Sequence, residues 1–380
     1  MGTELGVGVW ASIIAVIIIA WTYDFFNGMN DAANTVATSI CTGALRPRAA
    51  VIMGALLNFA GAYYTTEVAK TIGKGIVDPH FITLELLCAG LIGAAVWSWW
   101  CTRRGMPISI THSVIGGFMG PAVVAHGFGV LQRDIIMKKV LLAMIFSPVA
   151  GFFGGLVLMI FVTWLAQAAM KIGARYGRQL RVSKFFRTAQ LGSAAYMGFS
   201  HGANDAQNAM GAITAALVAT GFVSATEWEV PKWVIFGSAF FMGLGTYLGG
   251  WKVIRTLGMR LVKLQPVQGF SAETTAATVM LLASRIGAPI STTHAISTAV
   301  MGAGAVRRLS AVKWGVATNI MVAWFLTIPG AAAIGIVTHW AILGVSGKPL
   351  TTTAWTILAG IGTAAGVTAY KRSRNKLNRA

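Results

Sequence analysis

Asn27-Gly-Met-Asn-Asp-Ala-Ala-Asn34 has an aligned copy in the second half of the chain, His201-Gly-Ala-Asn-Asp-Ala-Gln-Asn208. A second pair of stretches follows downstream of the first: Pro107-Ile-Ser-Ile-Thr-His112 and Pro289-Ile-Ser-Thr-Thr-His294. The copies lie 174 residues apart for the first pair and 182 for the second, so the halves differ by a short insertion. Both copies sit in apolar sequence that has almost no other acids. A duplicated polar motif in such a setting predicts two membrane-embedded repeats.

Composition supports that setting. Of 380 residues, 56% are hydrophobic and 11% are charged, about half the usual charged share of a soluble domain. Successive apolar windows of eighteen or more residues are each long enough to cross about 30 Å of hydrocarbon. Outer-membrane barrels would instead show alternating segments of about ten residues. The net charge of +19 does not call for a nucleic-acid partner, because Lys and Arg gather in loops and tails as topology signals. Cys41, Cys88 and Cys101 form neither a metal-like spacing nor an even framework. No cofactor is implied, and the chain is not expected to be an enzyme.

The fold class expected is an all-α polytopic membrane protein. It has two inverted-topology repeats with re-entrant helical hairpins, and an extra C-terminal transmembrane helix. Residues 1–170 form the first transport repeat, 171–187 a basic cytoplasmic linker, 188–345 the second, inverted repeat, and 346–380 the extra helix and basic tail. Within the first repeat, crossings are predicted at 7–26, 31–45, 49–66, 82–101 and 139–168, with Gly28 interrupting the first apolar run. Residue 7 onward is read as a retained helix and not a signal peptide, since Glu4 precedes it and no basic residue does. Lys70 to Pro79 reads as a polar loop, Ser147-Pro148 as a kink, and Pro107 to about Gly129 as a re-entrant hairpin of half-helices.

The second half repeats the plan at 189–202, 206–222, 233–250, 268–286, a hairpin from Pro289 to about Gly304, and a long helix at 313–345 containing Pro329. A further span at 352–370 leads into the basic tail from Lys371. Five crossings and one hairpin per repeat would force the second repeat to enter upside down. With the linker and tail inside, 18 of the 30 Lys and Arg residues lie on the cytoplasmic side. The localisation expected is the cytoplasmic membrane, multi-pass, with lipid as a partner.

An ionisable residue inside a membrane is a functional hypothesis by default. Asp31 and Asp205 occupy matching positions, each preceded by Asn30 or Asn204 and followed by Asn34 or Asn208. Positions i and i+3 share a helix face, so each Asp and the later Asn point together. Carboxylate, amide carbonyl and freed backbone carbonyls are hard donors that suit a small hard cation. Glu273 breaks the symmetry, since Leu91 stands at its counterpart, and it is an additional candidate cation ligand. The Pro-Ile-Ser-x-Thr-His stretches fit an anion: Pro is favoured at a first helical position, which leaves unpaired amides at the positive end of a helix. Hydroxyls of Ser109, Thr111, Ser291, Thr292 and Thr293 add donors for a tetrahedral oxyanion. His112, His201 and His294 read as hydrogen-bond partners more than as proton carriers. Asp31, Asp205, Gln268 and Glu273 are the acceptors available to a substrate hydroxyl.

At these residues the chain resembles the inorganic phosphate transporter (PiT) family. Members carry Gly-x-Asn-Asp-x-x-Asn in each half and Pro-x-Ser-x-Thr-His downstream of each. The resemblance covers about residues 10 to 345. It implies a symporter coupled to Na+ or H+, carrying inorganic phosphate, with an inverted-repeat fold and a homodimer. By position, it implies that Asp31, Asn34, Asp205 and Asn208 are cation ligands, with Asp31 and Asp205 holding Na+ if coupling is to sodium. It also implies that Ser109, Thr111, Ser291, Thr292 and Thr293 hold phosphate. The chain departs from the family in having only a short basic linker at its centre. A sulfate permease of the same family is the nearest alternative, and a membrane-embedded enzyme the more distant one.

Overall fold

The computed structural model describes residues 7–176 and 181–345. Its helices are α1 (Val7–Cys41), α2 (Pro47–Gly61), α3 (Glu67–Lys74), α4 (Leu84–Arg104), α5 (Ile110–His126), α6 (Arg133–Ile135) and α7 (Leu142–Arg175) in the first half. The second half carries α8 (Val182–Asp205), α9 (Gln207–Ala219), α10 (Lys232–Leu248), α11 (Trp251–Arg255), α12 (Pro266–Arg285), α13 (Thr292–Ala305) and α14 (Trp314–Val345). Among the described residues there is no strand, only two isolated bridges, Val77 with Leu131 and Val262 with Val312. The protein is all-α, as its composition predicts.

Four stretches are long and apolar enough to cross a membrane: Val7–Cys41, Leu84–Arg104, Arg133–Arg175 and Trp314–Val345. A fifth, Lys232–Leu248 with Trp251–Arg260, is bent by 61°. The predicted division of the first span does not occur. Residues 7–26 and 31–41 belong to one 35-residue helix, about 52 Å long, and residues 42–45 turn out of it. Gly28 is not a break in it. A Cβ there would fall on the backbone of Met242 in α10, so the glycine lets two helices touch. Gly202 stands in the same relation to Asn58 of α2. In the second half the motif does interrupt the helix, but only at Ala206, which keeps near-helical angles.

Other boundaries move for equally local reasons. The expected span 49–66 begins with Pro47 at a first helical turn and ends at Gly61. The expected polar loop after Lys70 is in part α3, because Val68, Ala69 and Ile72 form a buried stripe that packs on α9. The stretch from Pro107 is not itself a hairpin. Residues 110–126 form one helix, whose Gly116 and Gly117 lie against the backbones of Ile328 and Gly90. The hairpin is instead α4 with α5, joined by an extended turn, and its counterpart is α12 with α13. Pro107 and Pro289 lie two residues before the helix caps, not at the first helical position. Ser109 and Ser291 are the caps, accepting from the amides of His112 and His294. Most of the expected linker is helical, since α7 runs to Arg175 and α8 starts at Val182. Pro148 lies inside α7, about two turns beyond a π-helical stretch at Ile136–Leu141. The span 352–370 and the basic tail lie outside the described residues.

The packing is matched between halves. Helix α1 lies against α4 and α10, while α8 lies against α12 and α2. Helix α14 covers α4 and α5, while α7 covers α12 and α13. This brings the Asn-Asp motifs of α1 and α8 to the same depth as the two hairpin tips.

Candidate functional site

Each hairpin tip is anchored by the Asn that precedes an Asp. Asn30 Nδ2 donates to Thr102 Oγ1 at 2.8 Å and to the Met106 carbonyl at 3.3 Å. Asn204 Nδ2 donates to Ser284 Oγ at 3.0 Å. The tips also hold one another. Thr293 Oγ1 donates to the Ile108 carbonyl at 2.7 Å, and Thr111 Oγ1 to the Ile290 carbonyl at 3.4 Å. Asn208 Nδ2 reaches Thr111 Oγ1 at 3.3 Å, and Asn34 Nδ2 reaches Thr292 at 3.2 Å and Thr293 at 2.9 Å. The residues expected to hold a cation and those expected to hold an anion therefore touch. They form one site where the sequence suggests two.

At its centre are two carboxylates from opposite halves. Thr292 Oγ1 lies 3.1 Å from Asp31 Oδ2 and 3.0 Å from Asp205 Oδ2. His201 Nε2 lies 3.5 Å from Asp31 Oδ2 and 3.3 Å from Asp205 Oδ2. Ligand atoms of Asp31, His201 and Asp205 all lie within 4.8 Å of one another, and all three side chains are buried. On the far side of the ring, His201 Nδ1 meets Asn58 Oδ1 at 3.0 Å. Asn58 Nδ2 donates to Thr246, so its oxygen is the acceptor and Nδ1 carries a hydrogen. Nε2 is thereby aimed at the two carboxylates.

Hydrogens are scarce here relative to acceptors. Thr292 has one to give, and Thr293 gives its own most closely to Ile108. Asp205 Oδ1 has no hydrogen-bond partner, nor do the amide oxygens of Asn27, Asn30, Asn34, Asn204 and Asn208. Buried polar atoms are normally satisfied. Buried, unpaired, hard oxygens on the same two motifs as a pair of carboxylates are the donor chemistry of a small hard cation.

Glu273 stands in its own cluster. It accepts from Thr38 Oγ1 at 2.5 Å, Gln190 Nε2 at 2.9 Å and Ser193 Oγ at 2.5 Å, while Thr42 donates to Gln190 Oε1 at 2.7 Å. Gln268 is a helix cap. Its Oε1 accepts from the Gln265 amide, which removes it from the acceptors open to a substrate. His112 and His294 pack edge to face across the hairpins, ring centroids 5.1 Å apart, and His294 lies on Trp324. They meet where the two tips meet but make none of the contacts to the carboxylates.

His201, read from sequence as a hydrogen-bond partner, was left out of the candidate site residues, yet it stands between Asn58 and the two carboxylates. The signal was present: it opens the second motif four residues before Asp205, on the same helix face, where the first motif has Asn27. Asp24, a fully buried acid on α1, was likewise not among the candidates.

The chain is similar to known proteins. Residues 27–335 match the Phosphate transporter family. A curated relative from Mycobacterium leprae, named "Probable low-affinity inorganic phosphate transporter", is 39% identical over 95% of this chain and 84% of its own. A Bacillus subtilis protein of the same name is 39% identical over 87% of this chain and 96% of its own. A solved structure titled "The sodium-dependent phosphate transporter" superposes with a TM-score of 0.77 at 29% identity, covering 87% of this chain and 99% of that one.

Proposed function

The chain belongs to the phosphate transporter family, and we propose that it couples inward movement of inorganic phosphate to sodium by symport. It is a multi-pass membrane transporter and not an enzyme. The observation that carries the coupling is the set of unpaired amide oxygens on the two motifs that bear Asp31 and Asp205. A proton would satisfy one carboxylate, but would leave those neutral oxygens without a partner. Sodium uses both kinds of donor. The sodium-dependent structural neighbour points the same way.

In this reading Asp31, Asp205 and the Asn30, Asn34, Asn204 and Asn208 oxygens are the cation ligands. Glu273, with Thr38, Gln190 and Ser193, is a second cation position, since a buried carboxylate without a positive partner is costly. Phosphate sits where the hairpin tips meet, against Ser109, Thr111, Ser291, Thr292 and Thr293. The capping serines offer their own O–H while accepting an amide, and the threonines must exchange their cross-tip bonds for bonds to the anion. Opening of the two tips is thus linked to substrate binding.

The halves, residues 1–170 and 188–345, act as inverted repeats on this proposal. With α1, α2 and α7 as crossings and α4–α5 as a re-entrant hairpin, each half keeps an odd number of crossings. This topology moves Arg46, Arg48, Lys252, Arg255, Arg260 and Lys263 to the cytoplasmic side and only Lys70, Lys74 and Lys232 outward, while Arg103, Arg104 and Arg285 fall at the hairpin tips. The balance strengthens the positive-inside bias. The homodimer is part of the same proposal, checked by the mass of the purified protein in detergent.

Proteoliposomes decide the mechanism. An inward Na+ gradient should drive concentrative uptake of labelled phosphate, and an equal K+ gradient at the same membrane potential should not. Uptake driven equally well by a proton gradient without sodium would refute sodium coupling and leave phosphate transport standing.

A further inference from the structure

We propose that the groove between α7, α8 and α12 is a binding site for an anionic phospholipid, with an acyl chain in the groove and the phosphate on Arg181, Lys184 and Arg187. The groove encloses about 570 Å³ and is lined by Leu158, Phe161, Leu165 and Ala169 of α7, Phe185 of α8 and Phe270 of α12. That is within the roughly 300–1,000 Å³ of small-molecule sites. Its wall is firm, because Phe186 packs against both Phe185 and Phe270, with ring centroids 5.1 and 5.7 Å away. One end is not apolar. Arg181 and Val182 line both this groove and an adjoining, more polar pocket that adds Ser183, Lys184 and Arg187.

Three features select an anionic headgroup. Residues 181, 184 and 187 recur at helical spacing, so the three cations present one face at the start of α8. No acid occurs between Asp134 and Asp205 in the sequence, and no salt bridge among the described residues involves these three. The first turn of α8 has no side-chain cap, which leaves amides directed to the same place. A basic pocket at the end of an apolar groove, on the side with the greater positive charge, has the chemistry that holds a lipid phosphate diester.

Two other occupants are less compatible. The C-terminal apolar stretch, 352–370, ends in Lys371, Arg372, Arg374 and Lys376, and those charges would meet a rim of the same sign. A second copy seated face to face would oppose the two basic rims. Phe270 is one turn from Glu273 on α12, so a bound lipid would brace the helix that carries the second acid cluster.

The test is native mass spectrometry of the purified full-length protein titrated with phosphatidylglycerol and with phosphatidylcholine. Wild type should retain one phosphatidylglycerol at least tenfold more tightly than phosphatidylcholine. Arg181→Gln/Lys184→Gln/Arg187→Gln should reduce phosphatidylglycerol to the phosphatidylcholine level. Ala169→Trp, which fills the groove, should weaken both lipids, and thermal unfolding would establish that both variants are folded. Equal retention of phosphatidylglycerol by wild type and the triple variant would overturn the proposal. So would disulfide formation by Phe185→Cys in a background free of native cysteines, whether with a second copy or with Gly360→Cys, because a protein segment would then occupy the groove.

Discussion

His201 and Asp31 come from different halves of the chain, 170 residues apart, yet His201 Nε2 lies 3.5 Å from Asp31 Oδ2 in a site closed to solvent. The same nitrogen lies 3.3 Å from Asp205 Oδ2, one turn along its own helix. The two halves thus share one cluster of ionisable side chains. His201→Asn should keep a donor for Asn58 but remove the ring nitrogen that faces the carboxylates, and phosphate uptake should fall at least ~10-fold. Coupling to Asp31 is read by a double-mutant cycle: Asp31→Asn/His201→Asn should cost clearly less than the two single losses added. Strict additivity would mean the contact carries no function.

Asp31→Asn and Asp205→Asn should each raise the half-saturating Na+ concentration at least ~10-fold and abolish concentrative uptake, because each removes a charged ligand from a hard-cation site. Both should remain folded, since the amide fills the same volume. Normal accumulation at limiting sodium by either variant would remove that residue from the cation site.

The cross-tip bonds should be measurable at the anion. Thr293→Val deletes the donor to the Ile108 carbonyl and the acceptor for Asn34, leaving buried groups unpaired at about 1–3 kcal/mol. Phosphate KM should rise ~10-fold or more, and Thr293→Ser should restore most of the loss. Failure of serine to rescue would point to packing by the methyl group instead.

Gly28→Ala places a methyl group against the Met242 backbone, which has no flexible end to move aside. Overpacking of this kind typically costs about 1–3 kcal/mol, so the thermal midpoint should drop by several degrees. Gly192→Ala is the control, because its Cβ would meet nothing within 4 Å. Equal stability of the two variants would contradict the close approach of α1 and α10.

Anion choice should follow protons. Phosphate keeps a hydroxyl at neutral pH and sulfate does not, so sulfate would set an acceptor against the buried oxygens of Asp31 and Asp205. Sites that pair a substrate hydroxyl reject analogues lacking it by roughly 10⁴-fold or more. Arsenate should compete with labelled phosphate, and sulfate in large excess should not. Strong sulfate competition would move the chain to the sulfate-permease alternative.

The fold class was legible because membrane burial writes itself in composition: long apolar windows, few charges, and one acid at the same place in each of two matched motifs. The positions of Asp31, Asp205 and the two hydroxyl-rich stretches were legible for the same reason, since a polar group in hydrocarbon needs a purpose. Local conformation was less so. Gly28 and Gly116 look like helix breaks in a string of letters, but here they admit a neighbouring backbone, which only the packing reveals. Lys70 and its flanks read as loop because charge was counted, while the stripe of Val68, Ala69 and Ile72 acquires meaning only from α9 lying over it. The union of cation and anion ligands into one site was out of reach of spacing alone. It depends on Thr292 and Thr293 meeting α1 across more than 250 residues of chain. His201 gained its partners the same way, because sequence fixes which residues share a helix face and tertiary packing alone fixes what that face meets.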